Sequence, residues 1–177
     1  MILQAGSVLP LPFGTVPLVS LMCSVGKSRG QGTLEYLSAD PRARPRIESR
    51  LLMDDVDRAR TVEAIKLAVE LAQSPPMREL ATFFWPPASV VTRKERLERW
   101  LGRVCDSSYH PCGTVPMGAD GASDADAATD GRGRVRGVEG LSVADASLMP
   151  TIPSAHTNLT TIMMGERFGA WMKGGEM

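Results

Sequence analysis

The chain is short of the features that would tie it to a polyanion, a membrane or an oxidising compartment. Its 20 basic and 20 acidic residues cancel, so it presents no electrostatic footprint for nucleic acid or an anionic membrane. Long apolar runs are also lacking. The most apolar stretch near the start, Val8 to Met22, is broken by Pro10, Pro12, Gly14 and Pro17 and has no basic segment ahead of it, so it reads as neither a signal peptide nor a membrane span. Three cysteines, Cys23, Cys105 and Cys112, form an odd set without a close CxxC pair. That argues against a disulfide framework or a zinc knuckle and makes a reducing, cytoplasmic setting the expectation. A GxGxxG turn, which would bring backbone amides to a pyrophosphate, is missing too. The nearest string, Gly131-Arg132-Gly133-Arg134-Val135-Arg136-Gly137, is one residue too long between its last two glycines and leads into a strand-like stretch. It reads as a turn.

What is present suffices for a packed domain, since 43% of the 177 residues are apolar. Strand-like runs fall at Val16 to Val25 and Thr33 to Leu37. Ser38-Ala39-Asp40-Pro41 signals a turn, and Arg44-Pro45-Arg46-Ile47 continues in extended form because a residue before proline avoids the helical region. From Asp54 or Asp55 to about Gln73 the pattern becomes helical, with Val62, Ile65, Val69 and Ala72 on one stripe and Pro75-Pro76 as the stop. Thr92-Arg93-Lys94-Glu95 has the form of a capping box ahead of Leu97, Trp100, Leu101 and Val104 at helical spacing. Between those helices, Phe83-Phe84-Trp85-Pro86-Pro87 is an apolar loop expected to pack in a core or interface; a wall beside a substrate pocket is the alternative. Asp120, Asp124, Asp126 and Asp130 lie in a loop whose spacing does not fit an EF-hand, so a solvated surface loop is expected. Leu141 to Ala144 is a short buried-strand candidate ending at Asp145. Thr157 to Met172 has helix character, with Thr157 or Asn158 as its cap and Gly165 and Gly169 together on one bare face.

Both histidines lie in the last third of the chain. His110 stands in Tyr109-His110-Pro111-Cys112-Gly113-Thr114 and His156 in Pro153-Ser154-Ala155-His156-Thr157-Asn158. Oxidising an alcohol means removing the hydroxyl proton and a hydride from one carbon, and a neutral imidazole is suited to taking that proton near neutral pH. A second imidazole can donate to the developing alkoxide. Taken singly, either histidine could serve only local packing or hydrogen bonding. A metal reading would join Cys105, His110 and Cys112, but it lacks a fourth ligand at useful spacing. Met149, Met163 and Met164 read as core fillers.

The ordered set HPCGTVPMG, GLSVADASLMP and SAHTNLTTIMMGER resembles the C-terminal part of the glucose-methanol-choline oxidoreductases, flavoenzymes that oxidise alcohols with FAD. The resemblance is strong from about Tyr109 to Trp171 and continues more weakly back to about Gly30. It implies an α+β fold: a substrate-binding domain with a mixed or antiparallel sheet and helices over residues 1–108, and a catalytic segment over 109–177 whose last strand and helix close a flavin-binding domain that is otherwise missing. It implies His110 as the principal base and His156 as its partner. Asp145 and Ala146 would then lie along the phosphate or ribityl part of FAD, with Thr157, Asn158 and Leu159 at the flavin ring or its chain. The family carries its glycine-rich fingerprint near the start of a longer polypeptide, so an upstream FAD-binding segment or chain is the expected partner, beside a small alcohol as substrate. An inactive fragment, or one subunit of a split enzyme, is the competing expectation.

Overall fold

The computed structural model describes residues 2–12, 14–119 and 127–176; Asp120, Asp124 and Asp126 of the expected acidic loop lie outside them. The described chain divides into two compact units. One holds residues 1–25, 29–33 and 47–106, and the other 26–28, 34–46 and 107–177.

In the first unit, β1 (Ile2–Leu11) and β2 (Gly14–Met22) form an antiparallel hairpin with an irregularity between Ala5 and Ser7. Helix α1 (Asp55–Ala72) starts where the sequence places it, because the Asp54 carboxylate accepts the Val56 and Asp57 amides at 2.9 and 3.0 Å. Its most buried line is Asp57, Thr61 and Ala68, flanked by the half-buried stripe of Val62, Ile65, Val69 and Ala72. Asp57 takes the amides of Arg29 and Gly30, each at 2.8 Å, and so ties the segment after β2 to the first turn of α1. The helix stops at Ala72, but Pro75-Pro76 does more than stop it. With their fixed φ the two prolines occupy the first turn of a second helix, α2 (Pro75–Leu80).

The expected capping box is not formed. Thr92 closes the short helix α3 (Ala88–Val91), where its hydroxyl donates to the Ala88 carbonyl at 2.9 Å, and α4 (Lys94–Val104) begins behind Arg93 without a side-chain cap. Thr92 ends α3 in helical backbone, with φ −74° and ψ −15°, and an N-cap residue needs the extended region instead. Leu97 and Leu101 are buried on α4 as its spacing predicts, while Val104 is exposed. The aromatic loop departs from the core expectation, with Phe83 77% and Trp85 70% exposed.

Strands β3 (Thr33–Glu35) and β4 (Arg46–Glu48) make a second two-stranded sheet. The turn at Ser38–Pro41 is present, with the Arg42 amide on the Asp40 carboxylate at 3.0 Å and the Ala43 amide on the Asp40 carbonyl at 3.0 Å. The mix of helices with small sheets matches the α+β expectation, although the sheets among the described residues are two separate pairs. The expected closing strand is not one. Leu141 to Ala144 contributes a single bridge, Arg134 with Ser142, and Leu141 is exposed. Its partner segment is punctuated by Gly133, Gly137 and Gly140, all at positive φ, which leaves no run long enough for a ladder. Among the described residues no helix is long and apolar enough to cross a membrane.

Candidate functional site

The second unit is organised around α5 (Thr157–Lys173) and a 3₁₀ turn at Ala146–Leu148. Thr157, Met164 and Phe168 form the buried stripe of α5 at helical spacing. Met164 and Phe168 pack with Leu148 and Met149, joined by Cys112, Met117, Val143, Ala146 and Trp171. Each fully buried apolar side chain of this kind is worth about 1.5–3 kcal/mol. Trp171 meets Phe168 edge-on at 5.1 Å and carries the Arg132 and Arg167 guanidinium groups over its ring at 5.4 and 4.9 Å.

This core fixes the loop that carries the first histidine. The amides of Gly113, Val115 and Met117 donate to the carbonyls of Ala146, Ser147 and Leu148 at 3.1, 3.0 and 2.9 Å, lashing the HPCGT segment to the 3₁₀ turn. Glycine is required at 113: φ is +77°, and a Cβ there would lie 3.0 Å from the Met149 carbonyl oxygen. Just upstream, Tyr109 takes φ +63° and donates its amide to Ser107 Oγ at 3.0 Å. Tyr109 is exposed at this turn while His110 is half-buried.

The second histidine arrives from the other side of the sequence gap. The chain passing Gly26 runs so close to Ser154 that a Cβ at Gly26 would sit 2.9 Å from the Ser154 carbonyl oxygen, and the Lys27 amide reaches the Pro153 carbonyl at 3.5 Å. His156 itself is the N-terminal cap residue of α5 and makes no capping bond with its side chain. Neither Thr157 nor Asn158 is the cap, contrary to expectation. Thr157 is the first helical residue, 6% exposed, and its Oγ1 lies 3.2 Å from His110 Nδ1. The rings of His110 and His156 stack with centroids 4.4 Å apart and planes 27° apart. Residues 46 positions apart in sequence, as 156 minus 110, are therefore in contact.

The remaining candidates fall nearby in the fold but in different circumstances. Asp145 is exposed and caps the 3₁₀ turn, its Oδ1 accepting the Ser147 hydroxyl at 2.5 Å and the Ser147 amide at 2.8 Å. Those two bonds hold its carboxyl below the usual carboxylate range. Ala146 is half-buried in the core and gives its carbonyl to Gly113. Asn158 and Leu159 are exposed on the first turn of α5, Leu159 at 79%. Ile162 and Met163 continue that outward apolar face. A Cβ added at Gly165 or Gly169 would meet no atom within 4 Å. Burial pushes the Cys112 thiol above its ordinary pKa, so it is protonated at neutral pH.

Two features escaped the sequence reading. Thr157 belongs to His110 by a side-chain contact, and the visible signal was its place at the head of the stripe that continues through Met164 and Phe168. Gly133 is the other: at φ +72° its missing Cβ leaves room for the Val143 carbonyl and the Phe168 ring, which a larger residue would strike.

Comparison with known proteins brings this geometry into a family context. A family model described as GMC oxidoreductase matches residues 27–165. An uncharacterised GMC-type oxidoreductase of Mycobacterium tuberculosis is 42% identical over 144 residues, which are 80% of this chain and 26% of that protein. Oxygen-dependent choline dehydrogenase of Escherichia coli is 33% identical over 156 residues, 87% of this chain and 27% of its own. Among solved structures, the formate oxidase of Aspergillus oryzae aligns with a TM-score of 0.74 at 25% identity, covering 94% of this chain and 29% of that one. An FAD-dependent oxidoreductase from Chaetomium thermophilum aligns with a TM-score of 0.73 at 26% identity, covering 85% and 26%. The chain thus spans about a quarter of the length of the curated relatives it matches.

Proposed function

The chain belongs to the GMC oxidoreductase family, and from that starting point we propose that it carries the alcohol-binding portion and the catalytic histidine pair of an FAD-dependent enzyme oxidising a primary or secondary alcohol to the carbonyl. The observation that carries this reading is the stacked pair, His110 against His156 at 4.4 Å. In this reading residues 1–108 belong to the substrate-binding part and residues 109–177 form the catalytic segment. The printed activities of two relatives support an alcohol as the substrate class: a choline dehydrogenase among the curated proteins and a fungal aryl-alcohol oxidase among the structures.

Each residue then has a chemical task. His110 takes the hydroxyl proton, general-base help worth about 10² to 10⁴ in rate. His156, stacked on it and exposed, donates to the alkoxide as negative charge develops. FAD held there would supply the acceptor for the hydride of the carbinol carbon. Its proposed ligands are Asp145, Ala146, Thr157, Asn158 and Leu159. The first turn of α5 fits that role because no side chain caps its leading amides and Asn158 and Leu159 are exposed there. The glycine-rich pyrophosphate turn that this sequence lacks would come from an FAD-binding segment or chain outside it. Three free thiols accord with a reducing, cytoplasmic setting.

The test is His110→Ala in the flavin-loaded enzyme containing this chain. Flavin reduction by alcohol should slow by about 10² or more, with flavin content unchanged. Unaltered reduction would remove His110 from the chemistry.

A further inference from the structure

We infer that Thr157 is the positioning residue that sets the tautomer of His110, a role resting on the reading of His110 as the base. Thr157 Oγ1 lies 3.2 Å from His110 Nδ1, and the residue is 6% exposed. It cannot drift away, because it heads the buried stripe of α5 and its carbonyl accepts the Thr161 hydroxyl at 2.9 Å. With Nδ1 engaged there, proton transfer falls to Nε2.

The direction of the bond follows from what the ring must do. A ring that takes a proton at Nε2 carries its own proton on Nδ1 beforehand, and the Thr157 oxygen accepts it. After transfer the imidazolium still donates from Nδ1 to the same oxygen, so the bond survives without any side chain turning. In the opposite arrangement the hydroxyl donates to Nδ1, Nε2 already holds the proton, and protonation would force the bond to break. Only the first direction serves both states of a base. The Thr157 hydroxyl thus gives His110 an acceptor and keeps its own proton free to donate elsewhere.

Because the protein contains only two histidines, ring-nitrogen NMR of the chain labelled in histidine gives two spin systems, which His156→Asn assigns. The result expected is His110 as its Nδ1–H tautomer in the unaltered chain. Thr157→Val, equal in size, should lose that preference, and Thr157→Ser should restore it; a role in packing alone would move none of these signals. In the flavin-loaded enzyme, Thr157→Val should slow flavin reduction about tenfold, the rate equivalent of one neutral hydrogen bond, and Thr157→Ser should recover most of it. An Nε2–H tautomer of His110 in the unaltered chain overturns the inference, as does an unchanged tautomer in Thr157→Val. The two readings separate cleanly. Loss of rate in His110→Ala with an indifferent tautomer in Thr157→Val sinks Thr157 alone, whereas a shifted tautomer with full rate in His110→Ala supports the hold of Thr157 on the ring and removes the base assignment.

Discussion

The helices α1 and α4 and the loops around α5 hold their shape in opposite ways. On α4, Leu97 and Leu101 are buried one turn apart, and on α1 a carboxylate closes the first turn. Order there is stored in local period and local caps. Around the histidines the regular part is one helix, and the rest is irregular backbone held by amide-to-carbonyl bonds and by glycines where backbones touch. The catalytic candidates sit on the second kind of structure. A site that must place two imidazoles in contact from distant positions depends on non-local backbone fit, so it tolerates less change than a helix whose stability is a sum of small terms.

Glycine substitution should separate the two regions most strongly. Gly133→Ala should cost about 4 kcal/mol, from a positive-φ penalty plus overpacking against Val143 and Phe168. Gly102→Ala, on the exposed side of α4 with nothing within 4 Å of the new Cβ, should instead stabilise by up to about 1 kcal/mol. Denaturant unfolding of the two variants checks both signs. Equal effects would dissolve the distinction between the regions.

Helix caps should show a smaller contrast. Asp54→Ala should destabilise by about 1 kcal/mol, since two amides lose their acceptor. Thr92→Ala should change stability by less than half of that, because its hydroxyl bonds back within α3 and does not cap α4. A larger loss in Thr92→Ala than in Asp54→Ala would restore the capping box.

The smallest effect concerns pH. The Asp145 carboxyl is held below its ordinary pKa by the Ser147 hydroxyl and amide, so its contribution to stability is complete above about pH 4, the ordinary carboxylate range. It is lost as pH falls through the lowered folded value. Unfolding measured at pH 5 and again near pH 3 should show a slightly shallower loss in Asp145→Asn than in the unaltered chain. An identical loss in both would mean that the turn does not depend on that charge.

What was legible in the sequence follows the same division. The limits of α1, the burial of Leu97 and Leu101, the turn at Asp40 and the helix from Thr157 all rest on periodicity or on residues a few positions apart, which a linear reading can weigh. The Thr92 cap failed because Thr92 ends α3 in helical backbone, which leaves Arg93 as the residue ahead of α4. The closing strand at Leu141 to Ala144 failed because strand formation depends on the partner, and the glycines of 133–140 cannot supply one. The aromatic loop is exposed because apolar composition alone does not say what covers it. At the candidate site, motif order named His110 and His156, but their stacking, and the bond from Thr157 to one ring nitrogen, exist only in three dimensions.

The most direct test compares the two histidines within one flavin-loaded enzyme containing this chain, by rapid mixing with alcohol. The account predicts that His110→Ala slows flavin reduction by about 10² or more while His156→Asn is milder, since an asparagine amide still donates to the alkoxide but cannot take a proton. Unchanged reduction in His110→Ala with collapse in His156→Asn would contradict it and exchange the two roles.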